Sequence, residues 1–121
     1  MRRNKDKELL ERIVEYCSKI ESVKQDWLPS HDLFEENELA RDAVSFYVFQ
    51  IGELSGSISE ELKATNEDIP WRNIKGIRNI IAHAYVDVDH SILWEVITDD
   101  IPILKQKCED ILLDLPEADS L

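Results

Sequence analysis

Four polar residues near the middle of the chain have the types and the spacing of a small active site. They are Arg78, Asn79, His83 and Tyr85, which together read R-N-x-x-x-H-x-Y. An arginine and a histidine without acidic metal ligands nearby suit the cleavage of RNA by its own 2′-hydroxyl group. Histidine can take the 2′-hydroxyl proton, or protonate the leaving 5′-oxygen, near neutral pH. We therefore regard these residues as the candidate functional site.

Each side chain of this motif has a role in that reaction. The guanidinium of Arg78 can stabilise the charge that develops on the phosphorus oxygens, and Asn79 can orient the imidazole or the phosphate. Because RNA supplies the nucleophile, no metal or cofactor is required, and the products are a 2′,3′-cyclic phosphate and a 5′-hydroxyl. One arginine and one histidine make a sparse site. Two copies facing each other across a two-fold axis would supply both an acid and a base, so this chemistry favours a homodimer.

The motif lies within a cationic segment from Ile69 to Val86. This segment contains Arg72, Lys75 and Arg78 but none of the 26 acidic residues of a chain whose formal net charge is −12. We expect Arg72 and Lys75 to guide the RNA backbone, although an exposed helix face would explain them equally well. The acidic balance argues against a protein that coats nucleic acid by bulk electrostatics. A small basic cleft on an acidic body remains compatible with it.

The composition predicts a single helical domain over residues 1–121. The chain is 43% apolar and 33% charged, with three glycines and four prolines, and is long enough to bury one core. No apolar run approaches the length of a membrane span, and the N-terminus lacks a signal-peptide core, so we expect a cytoplasmic protein without membrane contact. Cys17 and Cys108 fall at core positions, and we interpret them as buried thiols rather than a disulfide or metal site.

The apolar spacing predicts an all-α fold, an antiparallel bundle of four to five helices that must position the motif. Pro29 should end the first helix, and Pro102 should kink or split the last one near Asp99. Residues 116–121 are expected to form a frayed tail. Apolar residues recur at three- and four-residue steps in the longer segments, and a capping-box pattern at Ser59 opens the short one. The predicted helices cover 4–27, 33–58, 59–65, 70 to 83 or 85, and 90–115.

The second predicted helix has two features that bear on packing. Gly52 and Gly56 lie four residues apart, where missing side chains would let another helix approach closely. Phe46 and Phe49 widen its apolar stripe, which indicates burial against several neighbours or against a partner subunit.

On the motif helix we expect Ile80 and Ile81 to face the core, while the four polar motif residues share one broad side. Arg78 is long enough to reach over the imidazole of His83. The less specific interpretation is that Arg78 and His83 only complement the negative end of the helix dipole. Tyr85 alone is more often a half-buried packing residue. Three tryptophans could stack bases, but their apolar spacing favours the core or an interface: Trp27, Trp71 and Trp94.

Nothing in the sequence favours a metal site. His31 and His90 have no evident partner ligands. Asp87 and Asp89 lie close to His90, but carboxylates just before a helix are more commonly caps than metal ligands.

The sequence resembles the HEPN superfamily and, within it, the HepT type, the toxins of bacterial and archaeal HepT–MntA toxin–antitoxin pairs. The segment R-N-I-I-A-H-A-Y at 78–85 is similar to the R-x4-H-x-Y signature of that family. Four other blocks also resemble the family, in order and over nearly the whole chain: R-D-A-V at 41–44, I-G-E at 51–53, D-I-P-W at 68–71 and V-D-x-x-x-L-W at 88–94.

The resemblance implies a HEPN-like, dimeric, metal-independent endoribonuclease in which Arg78 and His83 are the catalytic pair and RNA, whether tRNA or mRNA, is the substrate. It also implies an MntA-like minimal nucleotidyltransferase antitoxin that inhibits the toxin by transferring AMP to Tyr85. The alternative is a non-catalytic HEPN module that holds a nucleotide or binds the nucleotidyltransferase, with the same arginine and histidine serving only as phosphate contacts.

Overall fold

The computed structural model describes residues 2–27 and 30–115, and within these ranges the chain is α-helical without any β-strand. This confirms the predicted all-α fold. A single 3-10 turn, Tyr85–Asp87, and a π-helical turn, Val96–Asp100, interrupt the helices. In chain order the helices are α1 (Arg2–Trp27), α2 (His31–Glu36), α3 (Glu38–Gly56), α4 (Glu60–Ala64), α5 (Trp71–Ala84), α6 (His90–Glu95) and α7 (Ile101–Asp114).

The core lies between the long helices, where α3 packs against both α1 and α5, and α1 packs against α7. Cys17 on α1 and Cys108 on α7 are fully buried in this core as free thiols, as predicted. Burial raises the pKa of both thiols above the usual range, to about 12 for Cys108. Such thiols stay protonated and unreactive at neutral pH. In the part of the chain that is described, no helix is both long and apolar enough to cross a membrane.

The predicted helix over 33–58 is wrong as a single element, because Asn37 divides it. The backbone N–H of Asn37 donates to the Leu33 carbonyl at 3.0 Å and ends α2. Its side-chain oxygen accepts the N–H of Ala40 at 3.0 Å and begins α3. Asparagine favours caps because its short amide competes for backbone hydrogen bonds.

The predicted break near Asp99 takes the form of a π-helical turn, Val96–Asp100, between α6 and α7, and the backbone stays helical through it. Pro102 follows in the first turn of α7, where it has no N–H to donate to a carbonyl of the preceding turn. Asp89 caps α6 by accepting the Ser91 N–H at 2.8 Å, as one of the two predicted caps. Two other expectations, for Pro29 and for the tail at 116–121, fall outside the described residues.

A buried polar contact fixes α4 beside the start of α1. Asp6 is buried and accepts two hydrogen bonds from Ser59, one from its backbone N–H at 3.0 Å and one from its hydroxyl at 2.6 Å. The same hydroxyl accepts the Leu62 N–H and caps α4, as the sequence predicts. A buried carboxylate with satisfied oxygens ties two elements firmly together. It therefore holds α4 in place as one wall of the cleft described below.

Candidate functional site

The helix α5 presents one apolar side to α3. Ile74 and Ile77 are buried and Ile81 is partly buried, whereas Ile80 is 43% exposed. The expectation that Ile80 faces the core is therefore wrong. At 100° per residue, Ile74, Ile77 and Ile81 fall within one sector of the helix, and this sector faces the core. Ile80 falls outside that sector. At the start of α5, the Trp71 indole N–H donates to the Asn66 carbonyl at 3.0 Å, which ties the helix to the preceding loop.

The Arg78 side chain packs directly against the backbone of α3 at Gly52. An ideal Cβ on Gly52 would lie 2.5 Å from Cγ of Arg78 and still closer to its Cβ, so only glycine permits this approach. The predicted close packing is thus confirmed at Gly52. It is wrong at Gly56, where an added Cβ would meet nothing within 4 Å. The guanidinium carbon of Arg78 lies 5.2 Å from the centroid of the Phe49 ring, which adds a cation–π contact.

The guanidinium of Arg78 is held by two polar neighbours. Both Nε and one terminal nitrogen donate to the Glu53 carboxylate of α3, and the other terminal nitrogen donates to the side-chain oxygen of Asn79 at 3.0 Å. Arg78 therefore does not reach over His83, contrary to the expectation from its length. Sequence reasoning gave Glu53 no role, although Glu53 is part of the I-G-E block at 51–53 and lies next to Gly52, the point of closest helix approach.

A cleft of about 930 Å³ opens beside Arg78 between α3, α4 and α5. Arg72, Lys75, Arg78 and Asn79 all line it, so the structure brings these four predicted site residues together. The cleft is less cationic than the sequence of α5 suggests, because the other elements contribute carboxylates. Its charged lining consists of Lys63, Arg72, Lys75 and Arg78 against Glu53, Glu60 and Glu67.

His83 lies apart from this group. It is in the last turn of α5, its residue is exposed, and it does not line the cleft. Among residues 5–26 and 30–115, no side chain forms a hydrogen bond or ion pair with its imidazole. An exposed imidazole without a competing partner can exchange protons with a ligand. One copy of the chain thus separates the predicted acid–base group from the predicted phosphate-binding group.

Tyr85 begins the 3-10 turn that follows α5 and does not continue the helix. Its hydroxyl donates a hydrogen bond to the carboxylate of Asp42 on α3. The ring is 41% exposed and borders two cavities of about 350 and 270 Å³. Sequence reasoning also gave Asp42 no role, although it belongs to the R-D-A-V block at 41–44, because it lies 43 residues before Tyr85 and no local pattern connects the two.

The two histidines that lacked evident partners share one. Nε2 of His31 lies 3.2 Å from one oxygen of Glu35, and Nδ1 of His90 lies 3.0 Å from the other. The hydrogen bond from His90, followed by the charges of both imidazoles, holds the pKa of Glu35 below its ordinary value. No group of three or more histidine, cysteine or carboxylate residues in the described ranges is arranged to hold a metal ion.

The tryptophans pack as expected where their side chains are described. Trp71 and Trp94 are partly buried against the core. The Trp94 ring stacks on the His31 ring, with 5.6 Å between the ring centroids, and packs against the Phe34 ring, with 5.2 Å between the centroids. These contacts favour the packing interpretation over base stacking. The side chain of Trp27 lies outside the described residues.

Comparisons with known proteins all point to the same family. A family model described as Ribonuclease HepT-like matches residues 9–111. "Putative RNase TTE0752" of Caldanaerobacter subterraneus subsp. tengcongensis is 32% identical over 104 residues, covering 85% of this chain and 90% of that protein. "Probable ribonuclease HepT" of Thermococcus cleftensis is 41% identical over 61 residues, covering 50% and 56% of the two chains. "Putative RNase MJ1380" of Methanocaldococcus jannaschii is 33% identical over 76 residues, covering 63% and 70%. No solved structure matches.

Proposed function

Because this chain belongs to the ribonuclease HepT-like family of the HEPN superfamily, we propose that it is a metal-independent endoribonuclease and the toxin of a toxin–antitoxin pair. The ribonuclease names of its relatives support the reaction class. The observation that carries the proposal is the position of Arg78, whose guanidinium is fixed at the edge of a cleft that Arg72 and Lys75 also line. A fixed guanidinium beside further cations suits a phosphodiester.

The proposed reaction is transesterification by the 2′-hydroxyl of the RNA. The 2′-oxygen forms a bond to phosphorus while the bond from phosphorus to the 5′-oxygen breaks. The His83 imidazole of one copy takes the proton from the 2′-hydroxyl, and the His83 imidazole of a second copy gives a proton to the leaving 5′-oxygen. Arg78 stabilises the negative charge added to the phosphoryl oxygens. Hydrogen bonds to Glu53 and Asn79 hold its guanidinium in a fixed orientation. The products are a 2′,3′-cyclic phosphate and a 5′-hydroxyl.

A homodimer would bring the two halves of this site together. Within one copy, Arg78 belongs to the cleft and His83 does not. Large apolar side chains are exposed near the turn that follows His83: Phe46, 54% exposed, lines a cavity with Tyr85, and Val86, 91% exposed, is the next residue of the chain. Exposed apolar side chains grouped in this way favour an interface between copies. The second copy would then bring its imidazole to a shared site, where one histidine serves as the base and the other as the acid.

The proposed regulation is the transfer of AMP to Tyr85 by an MntA-like minimal nucleotidyltransferase antitoxin. The exposed phenol of Tyr85 is accessible to such an enzyme. The added phosphodiester carries negative charge into a site that must accept an RNA backbone, and the nucleoside adds bulk. Both effects exclude RNA, so the modified toxin would be inactive.

Purified protein incubated with total tRNA in EDTA tests the proposed activity. We expect cleavage without added metal, with 2′,3′-cyclic phosphate ends, and a loss of about 100-fold or more in rate for His83→Ala. Because His83 is exposed, the variant should keep the melting temperature of the parent protein. Cleavage that appears only after Mg²⁺ is added would contradict the mechanism.

A second candidate function is a non-catalytic HEPN module that holds a nucleotide or binds the nucleotidyltransferase. It is favoured by the Arg78–Glu53 ion pair, which neutralises the guanidinium, and by the mixed charge of the cleft. In that case the protein would bind adenine nucleotide or the partner enzyme but leave tRNA intact. Expression would then cause no growth arrest that depends on His83.

A further inference from the structure

The hydrogen bond between Tyr85 and Asp42 joins two elements that are distant in sequence. The phenol of Tyr85, in the turn after α5, donates to the carboxylate of Asp42 on α3. Both residues are exposed, so the contact is open to solvent and to a partner enzyme. A carboxylate that already accepts the phenol hydrogen bond is placed to accept the proton itself. The phenol is otherwise a weak nucleophile near neutral pH.

The surroundings of this contact leave room for an incoming group. The two cavities beside Tyr85 both include Asp42 and Ser45 in their lining. Ser45 is only 2% exposed, yet no described residue forms a hydrogen bond with its hydroxyl. A buried hydroxyl without a partner is costly in free energy unless it serves another group. It lies where it could receive a polar group brought next to the phenol.

We propose that Asp42 is the general base that activates Tyr85 as a nucleotide acceptor. This inference rests on the proposed transfer of AMP to Tyr85. The phenol oxygen attacks the α-phosphorus of ATP held by the nucleotidyltransferase, forming the bond from the tyrosine oxygen to phosphorus. The bond between the α-phosphorus and the bridging oxygen breaks, and pyrophosphate leaves. The phenol proton passes to the carboxylate of Asp42.

The same geometry gives the modification a structural consequence. After transfer, the tyrosine oxygen has no proton to donate, so the hydrogen bond to Asp42 is lost. The new phosphodiester also carries a negative charge beside the Asp42 carboxylate, and like charges at this distance repel each other. The turn that carries Tyr85 is therefore released from α3 when it is modified.

Labelling with ATP that carries a radioactive α-phosphate tests this role. The full chain is incubated with an MntA-like nucleotidyltransferase, and the initial rate of label transfer is measured for four variants. Asp42→Asn keeps a side-chain oxygen that accepts the phenol hydrogen bond but is not basic, so we expect a loss of roughly 100-fold. Asp42→Glu should recover part of the rate, and Tyr85→Phe should accept no label. Glu36→Gln removes an exposed carboxylate at the end of α2 that lines neither cavity, so this variant should remain within about two-fold of the parent protein.

The outcomes separate the two proposals. If the parent protein accepts no label, the transfer of AMP to Tyr85 is wrong, and the role of Asp42 falls with it. If the parent protein is labelled and Asp42→Asn is labelled equally fast, only the role of Asp42 is overturned. A structural defect would lower the melting temperature of Asp42→Asn as much as that of Tyr85→Phe, which lacks the hydrogen bond altogether. Slow labelling at an unchanged melting temperature, with recovery in Asp42→Glu, supports the general base.

Discussion

The middle and the end of α5 differ in how many contacts the chain itself provides for the side chains of the site. Around Arg78, the chain supplies a glycine for close approach, a carboxylate for the guanidinium and an aromatic ring beneath it. Around His83, five residues later, it supplies no described partner at all. The guanidinium is therefore oriented before any ligand arrives, whereas the imidazole is left to be oriented by something else. In the proposed function, a second copy and the RNA would supply that orientation.

Mixed dimers test this difference most strongly. The His83→Ala homodimer should lose about 100-fold or more in cleavage rate, because the acid–base group is gone. A tagged heterodimer of parent and His83→Ala subunits distinguishes two arrangements. If one shared cleft needs both imidazoles as acid and base, the heterodimer should be almost inactive. If each subunit cleaves alone, it should retain about half the activity of the parent dimer.

Substituting an exposed apolar side chain near the end of α5 should have the next largest effect on the cleavage rate. Phe46→Glu places a charge on the surface we assign to the interface, so the protein should become monomeric and lose at least about 10-fold in cleavage rate. Size-exclusion chromatography with light scattering measures the association state. Leu113→Glu is the matched control, because Leu113 is also apolar and 84% exposed but lies on α7. A dimer that survives Phe46→Glu would place the interface elsewhere.

The two regions also differ in how far sequence alone could predict them. The apolar period of α5 and the break at Pro102 follow from local rules, since neighbours within one helical turn decide them. The partners of the site do not. Glu53 lies 25 residues from Arg78, and Asp42 lies 43 residues from Tyr85. Which side chains of two packed helices meet depends on their crossing geometry, and a single sequence does not specify this geometry to within one residue.

The same limit explains why the cleft is less cationic than the sequence of α5 alone suggests. The segment from Ile69 to Val86 contains no acidic residue, which predicts a cationic surface. The fold then places α3, α4 and the loop after α4 beside it, and these elements bring Glu53, Glu60 and Glu67 into the same cleft. The charge of a segment can be read from the sequence. The charge of a site depends on every element that borders it.

Close packing at Gly52 tests whether the fixed position of Arg78 matters. Gly52→Ala should destabilise the protein by about 1–3 kcal/mol, because the new Cβ overlaps the Arg78 side chain and forces α5 away from α3. Cleavage should fall as Arg78 moves. Gly56→Ala is the matched control on the same helix: its Cβ meets nothing within 4 Å, and alanine favours the helix by up to about 1 kcal/mol. Thermal unfolding of both variants measures the difference. Equal melting temperatures would show that α3 and α5 tolerate separation at this crossing.

The smallest effect belongs to the cations that line the cleft without contacting the reacting atoms. Lys75→Gln should weaken RNA binding by a few-fold and make the slope of log K against log salt shallower by about 0.7, the value for one phosphate contact on single-stranded nucleic acid. Lys24→Gln changes the net charge equally, but Lys24 lies over the Trp94 ring and does not line the cleft. If both variants lose the same affinity with the same slope, RNA responds only to the overall charge of the protein. A loss confined to Lys75→Gln would place the RNA backbone in the cleft beside Arg78, in the middle part of α5 where one chain provides all the partners by itself.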